Sequence, residues 1–110
     1  MLIGEKTGFA VGPGGVIVKG TRNDRGLWSW AGLAGRKPTS HNLNSVIYVD
    51  DRLWIVGDGG IVLSGRNLGK DWSIQYLKDE AGGQPNLKRI RLHGSSLWIV
   101  GDRVVYRYRK

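Results

Sequence analysis

Cysteine is absent from these 110 residues. No disulfide can brace the fold, and no thiolate can act as nucleophile or metal ligand. Proline is scarce, at three, and the chain has two histidines, His41 and His93. They stand 52 positions apart, with neither a His–His nor a His–carboxylate spacing of the kind that grips a metal. Long apolar runs are missing too. None approaches the roughly 20 residues of a membrane-spanning helix, and the first residues read as strand rather than leader peptide. Acids are the last shortage: nine Asp and Glu face 17 Lys and Arg, leaving a formal charge of +8.

What is abundant points one way. Eighteen glycines, five tryptophans and 40% hydrophobic residues suit many short strands joined by tight turns. The positive charge is uneven. Lys88, Arg89, Arg91, Arg103, Arg107, Arg109 and Lys110 face a single acid, Asp102, so six of the eight net charges fall in the last 23 residues. A bias of that kind fits an acidic partner surface or a polyanion, and it also fits a charged sheet edge that resists unwanted strand pairing.

The chain repeats itself. Leu53-Trp54-Ile55-Val56-Gly57-Asp58 recurs unchanged as Leu97-Trp98-Ile99-Val100-Gly101-Asp102, 44 positions on. Gly8-Phe9-Ala10-Val11-Gly12-Pro13 is a looser copy 45 positions earlier. The flanks keep register: Asn42-Leu43 with Asn86-Leu87, Gly14-Gly15-Val16-Ile17-Val18 with Gly59-Gly60-Ile61-Val62-Leu63, and Leu27-Trp28-Ser29 with Asp71-Trp72-Ser73. Within the middle copy, Val, Ile, Trp and Tyr fill four segments, near 45–49, 53–56, 61–64 and 72–77, and Gly, Asp and Asn fill the gaps. The run Trp54-Ile55-Val56 is apolar throughout instead of alternating, as in a strand covered on both faces. Gly12, Gly57 and Gly101 are read as turn residues that tolerate positive φ. No helical period follows them, so a phosphate-cradling loop is excluded by context.

Four strands in 44–45 residues predict β-propeller blades in an all-β chain. Blade 1 is expected at about 1–34, blade 2 at about 43–78 and a partial blade 3 at about 87–110. Trp28, Trp54, Trp72 and Trp98 hold repeat positions and are expected between blades, with Trp54 and Trp98 buried. Trp30 lies off the repeat, opposite Ile74, and is a candidate exposed binding aromatic.

Trp54, Val56, Gly57, Gly60 and Ile61, followed by Ser64, Asn67, Gly69 and Trp72, resemble the repeat of BNR or Asp-box propellers, and more closely that of photosystem II assembly-factor-like propellers. Asn67 stands where that box usually has Asp, and Ser64 is one place further from it than usual. The resemblance implies a turn device in which Asn67, Gly69 and Trp72 brace the blade, and a protein-interaction platform as the role.

Asp50-Asp51 and Asp79-Glu80 could be paired carboxylates for glycoside hydrolysis, but both fall in expected turns, where Asp bonds its own backbone. No catalytic set, metal site or cofactor is expected. A non-enzymatic binding or assembly module is the leading reading. A lectin-like carbohydrate binder and a nucleic-acid or polyanion binder are the alternatives, the last using the alternating basic and aromatic end of the chain. About two and three-quarter blades are fewer than the four to eight that close a propeller. The expected partner is therefore a second copy, giving a six-bladed ring, or the remainder of a longer propeller. A membrane partner is not expected. The third copy puts Arg89 and Arg91 where the second has Ser45 and Ile47, and alternation groups Arg103, Arg107 and Arg109 on one face of the last strand. These five arginines are the candidate binding edge.

Overall fold

The computed structural model describes residues 2–3, 7–32, 38–66 and 71–109, and of Leu2, Ile3 and Arg109 only the backbone. Among the described residues, eleven strands form three antiparallel sheets in chain order. Blade 1 is β1 (Leu2–Ile3), β2 (Thr7–Val11), β3 (Ile17–Arg22) and β4 (Trp28–Gly32). Blade 2 is β5 (Leu43–Val49), β6 (Arg52–Gly57), β7 (Ile61–Arg66) and β8 (Asp71–Tyr76). Blade 3 is β9 (Leu87–His93), β10 (Ser96–Gly101) and β11 (Val104–Arg109). Each sheet is a meander in which neighbours in sequence are neighbours in space. The fold is all-β and consists of propeller blades. Asn67 and Gly69 of the expected box lie outside the described residues.

The unbroken apolar run of β6 follows from its setting. Ile55 joins Ile17, Leu43, Ile61 and Leu63 in a cluster between blades 1 and 2, with Val11, Val46 and Trp72 packed against it. Its neighbour Val56 points the other way, into a cluster with Val62, Leu87, Ile90 and Ile99 between blades 2 and 3. Ile47, Trp54, Leu77, Val104 and Tyr106 pack on that second cluster. Successive residues of a strand face opposite sides, so a sheet covered on both sides needs apolar residues at every position. Blade 2 is such a sheet.

The tryptophans depart from expectation in two ways. Trp54 and Trp98 are half-buried rather than buried. Trp54 meets Tyr108 of blade 3 with ring centroids 5.3 Å apart. Trp98 is its repeat equivalent and points away from blade 2, where Val100 is also exposed. The register also reassigns Trp28 and Trp30. Trp72 pairs with Gly65 across the β7–β8 ladder, and Trp30 pairs with Gly20 across β3–β4. In both cases the indole lies over the glycine, where a Cβ would collide with the ring. Trp30 is therefore the repeat equivalent of Trp72, and Trp28 is the residue off the repeat. The β3–β4 connection of blade 1 is longer than its counterpart in blade 2, which shifts the alignment read from sequence.

Backbone contacts lock the blades. Gly14 and Gly15 carry φ of 69° and 81°, and Gly59 and Gly60 carry 73° and 77°, values that L side chains avoid. These turns aim an amide at the next blade. Gly14 N–H donates to Asn42 Oδ1 at 2.9 Å, and Gly59 N–H donates to Asn86 Oδ1 at 3.0 Å. Gly57, read as a turn residue that tolerates positive φ, does not use that freedom, its φ being −159°. Its glycine is required by crowding, because a Cβ there would run into the Asn42 carbonyl. Gly12 is extended as well, at −167°. The lock gains a charged member in Asp58, whose carboxylate accepts from Asn44 Nδ2 at 2.9 Å and Asn42 Nδ2 at 3.2 Å. Asn44 is the bulged residue of β5, and the same amide also donates to the Leu87 carbonyl of blade 3 at 2.7 Å.

Two outcomes follow from this packing. Trp54→Ala should destabilise the chain by about 3 kcal/mol, the low end for a large aromatic because the ring is half-buried, read as a lowered urea midpoint. The Asn44 hydrogen bond, opposed by desolvation and helped by Asn42 and the charges of Lys88 and His41, holds the Asp58 carboxyl below the ordinary carboxylate range. A depressed pKa contributes stability above the unfolded value of about 3.9 and loses it as pH falls through the folded value. Urea midpoints should therefore fall below about pH 4, and Asp58→Asn should flatten that part of the profile.

Candidate binding faces

Blade 3 shows how one sheet serves two environments. Its inward face repeats that of blade 2: Leu87, Ile90, Leu97 and Ile99 are all buried. Its outward face does not. The ladders set Arg91, Trp98 and Arg107 in one cross-strand row, and Arg89, Val100 and Val105 in the next. The matching rows of blade 2 are Ile47, Trp54 and Ser64, then Ser45, Val56 and Val62. Three neutral side chains have become arginines, all on the side turned away from blade 2. Trp98, Val100 and Val105 share these rows, with Val105 63% exposed. The Arg107 guanidinium lies over the Trp98 ring, 5.5 Å from its centroid, a contact worth about 0.5–1 kcal/mol at an exposed site.

Of the five candidate arginines, Arg89, Arg91 and Arg107 come together on this face. Arg109 pairs through its backbone with Ser96, and its side chain lies outside the described residues. Arg103 does not join them. It sits with φ of 60° in the two-residue turn between Gly101 and Val104, so strand alternation does not apply to it. That turn is one residue shorter than Gly57–Ile61, and the glycine pair that locks blades 1 and 2 to their successors is gone.

A second exposed face lies at the other end. On blade 1, Val11 and Ile17 point to blade 2, so Ala10, Val18, Gly20, Trp28 and Trp30 point away from it. Trp30 is 49% exposed and stacks on Trp28, with centroids 5.6 Å apart and planes inclined by 19°. Position relative to the repeat concealed this pair, because the sequence alignment set Trp28 on Trp72.

The remaining candidates serve local structure. Asp50 and Asp51, with φ of 51° and 61°, make the two-residue turn between β5 and β6. Asp79 Oδ1 accepts from the amides of Ala81 and Gly83, at 3.0 and 2.8 Å. His41 is tied to Thr39, Oγ1 to Nδ1 at 2.9 Å, and His93 is exposed at the end of β9. Among the described residues, no group of three His, Cys, Asp or Glu side chains is placed to hold a metal ion.

One hydrogen bond is preserved with its partners reversed. In blade 2 Arg52 Nη1 donates to Ser64 Oγ at 3.0 Å, and in blade 3 Arg107 Nε donates to Ser96 Oγ at 3.1 Å. Arg107→Ala would leave the buried Ser96 hydroxyl without this donor, at a cost of about 1–2 kcal/mol. The double exchange Ser96→Arg with Arg107→Ser recreates the blade 2 arrangement. It should recover most of that loss in a double-mutant cycle followed by thermal melts.

Comparison with known proteins agrees with this architecture. Neither the curated proteins nor the solved structures gave a match. The family model described as photosynthesis system II assembly factor YCF48 matches residues 2–96, which span all of blades 1 and 2 and reach the start of β10 in blade 3. With that match over most of its length and sheets of the expected kind and period, the chain belongs to the YCF48 family of photosynthesis system II assembly factors.

Proposed function

We propose that the chain is a non-enzymatic binding and assembly module, and that the outward face of blade 3 is its working surface. The observation that carries this reading is the substitution pattern. Positions facing blade 2 remain apolar, while Ser45, Ile47 and Ser64 give way to Arg89, Arg91 and Arg107 on the side turned away from it. Unpaired guanidiniums are costly to bury. The face therefore requires carboxylates, phosphates, aromatic rings or water against it. Membership of an assembly-factor family supports a protein as the partner, by analogy of family rather than by chemistry.

The same face supports a second reading, polyanion binding, because Trp98 offers a stacking platform between two guanidiniums. Salt distinguishes the ligands. Replacing Arg89, Arg91 and Arg107 with Gln should weaken binding to an acidic protein or to single-stranded nucleic acid. Binding of single strands should also lose salt dependence, by about 0.7 in the logarithmic slope for each phosphate contact removed. Unchanged affinity for both classes of ligand, with self-association also unchanged, would reduce the basic cluster to a solubility feature.

A further inference from the structure

Blade 2 shows both sides of the joint that holds this architecture together. Its face toward blade 3 carries Ile47, Trp54, Val56 and Val62, and its face toward blade 1 carries Val46, Ile55, Leu63 and Trp72. Each blade therefore has a forward face and a rearward face, and a forward face meets the rearward face of its successor. The forward face of blade 3 and the rearward face of blade 1 are the two left exposed among the described residues. They are a matched pair by the logic of the repeat.

They are matched in chemistry as well, and where each departs from the repeat is the telling point. The forward face has gained three cations, Arg89, Arg91 and Arg107. The rearward face has gained an extra indole, Trp28, stacked on the repeat tryptophan Trp30. Guanidinium groups lie favourably on indole faces, and Arg107 already does so on Trp98. An aromatic from the successor is also what this joint uses: Trp54 receives Tyr108 of blade 3. Tyr108 comes from the strand position at which blades 1 and 2 have Gly20 and Gly65, the glycines covered by Trp30 and Trp72. Trp98 is the equivalent of Trp54, and Trp30 supplies the equivalent aromatic.

We propose that the forward face of blade 3 seats the Trp28–Trp30 face of blade 1 from a second copy of this chain, head to tail. The three described sheets of each of two copies would make six blades in one ring, within the four to eight of closed propellers, with the two joints related by a two-fold axis. This rests on the reading of the basic face as the working surface, and it names the occupant. Among the described residues, the ladder rows on these two faces hold no Asp or Glu, so the joint uses stacking and cation–π contact rather than ion pairs. Each copy carries a formal +8. Salt screens their mutual repulsion, so self-association should tighten with rising salt, the reverse of polyanion binding.

The test is sedimentation of the full chain over a concentration series, with far-ultraviolet circular dichroism confirming the fold of each variant. Trp28→Gln alters the rearward face, and Ala10→Arg alters the same face without removing a ring. Arg89→Gln with Arg91→Gln alters the forward face and leaves the Arg107–Ser96 bond in place. Each variant should weaken self-association by about tenfold or more, the scale of one or two lost cation–π contacts. Mixing a rearward variant with the forward variant should restore one intact joint and give a mixed dimer. Loss of association in the rearward variants alone would overturn the head-to-tail arrangement in favour of a symmetric blade 1 contact, and failure of mixing to restore a dimer would also overturn it. A wild-type chain that stays monomeric overturns the inference as well. Binding of poly-glutamate or single-stranded nucleic acid, if lost in the forward variant, would then leave the basic face standing as a working surface.

Discussion

Every feature of this chain depends on one constraint: a four-stranded sheet with two apolar faces cannot stand alone in water. Blade 2 meets the constraint fully, with a cluster around Ile55 on one side and a cluster around Val56 on the other. The burial is directional, since forward and rearward faces differ in composition and in the residues that lock them. The Asn42 and Asn86 amides fasten each joint at its turns, and Asn44 crosses from blade 2 to the Leu87 carbonyl. Local turn chemistry and long-range packing thus act on the same joints, a consistency between levels that favours a single native arrangement.

The two end sheets face the same constraint with different residues. Blade 3 keeps the inward half of the repeat intact and rewrites the outward half toward arginine. Its last strand also supplies in Tyr108 the aromatic that other blades take from a fourth strand. Tyr106 ties that strand to the segment after blade 2, its hydroxyl donating to the Lys78 carbonyl at 2.7 Å. Blade 1 does the opposite, keeping a largely apolar rearward face and adding an indole to it.

Much of this was legible in the residues before any coordinates. The repeated Leu-Trp-Ile-Val-Gly-Asp segment gave the period, and an apolar run that refuses to alternate is a direct statement that a strand is covered twice. The clustering of Arg89, Arg91 and Arg107 followed from the same period. What could not be read depended on loop length. The chain from Gly20 to its partner Trp30 is three residues longer than from Gly65 to Trp72, which moved Trp30, rather than Trp28, onto the Trp72 position, and one residue fewer between β10 and β11 took Arg103 out of the strand. Gly57 was misread for a related reason. A glycine demanded by a neighbouring carbonyl looks, in sequence, the same as one demanded by positive φ.

The arginines and the tryptophans can be weighed against each other as alternatives to water. A blade face built like that of blade 2 gains stability from burial but commits the chain to one permanent neighbour. Arg107 lies over Trp98 while Arg89 and Arg91 are exposed in the same rows, and arginine, with an apolar stem and a hydratable head, lets such a face tolerate solvent when it is unoccupied. On the proposed reading these arginines contact an aromatic or anionic partner when one arrives. Interfaces enriched in Arg and Trp and poor in Lys and Glu have the composition of energetic hot spots. A face of this kind suits reversible association better than a fixed joint, and that is the property an assembly module needs: a surface stable in both the free and the bound state, with affinity held in a few side chains.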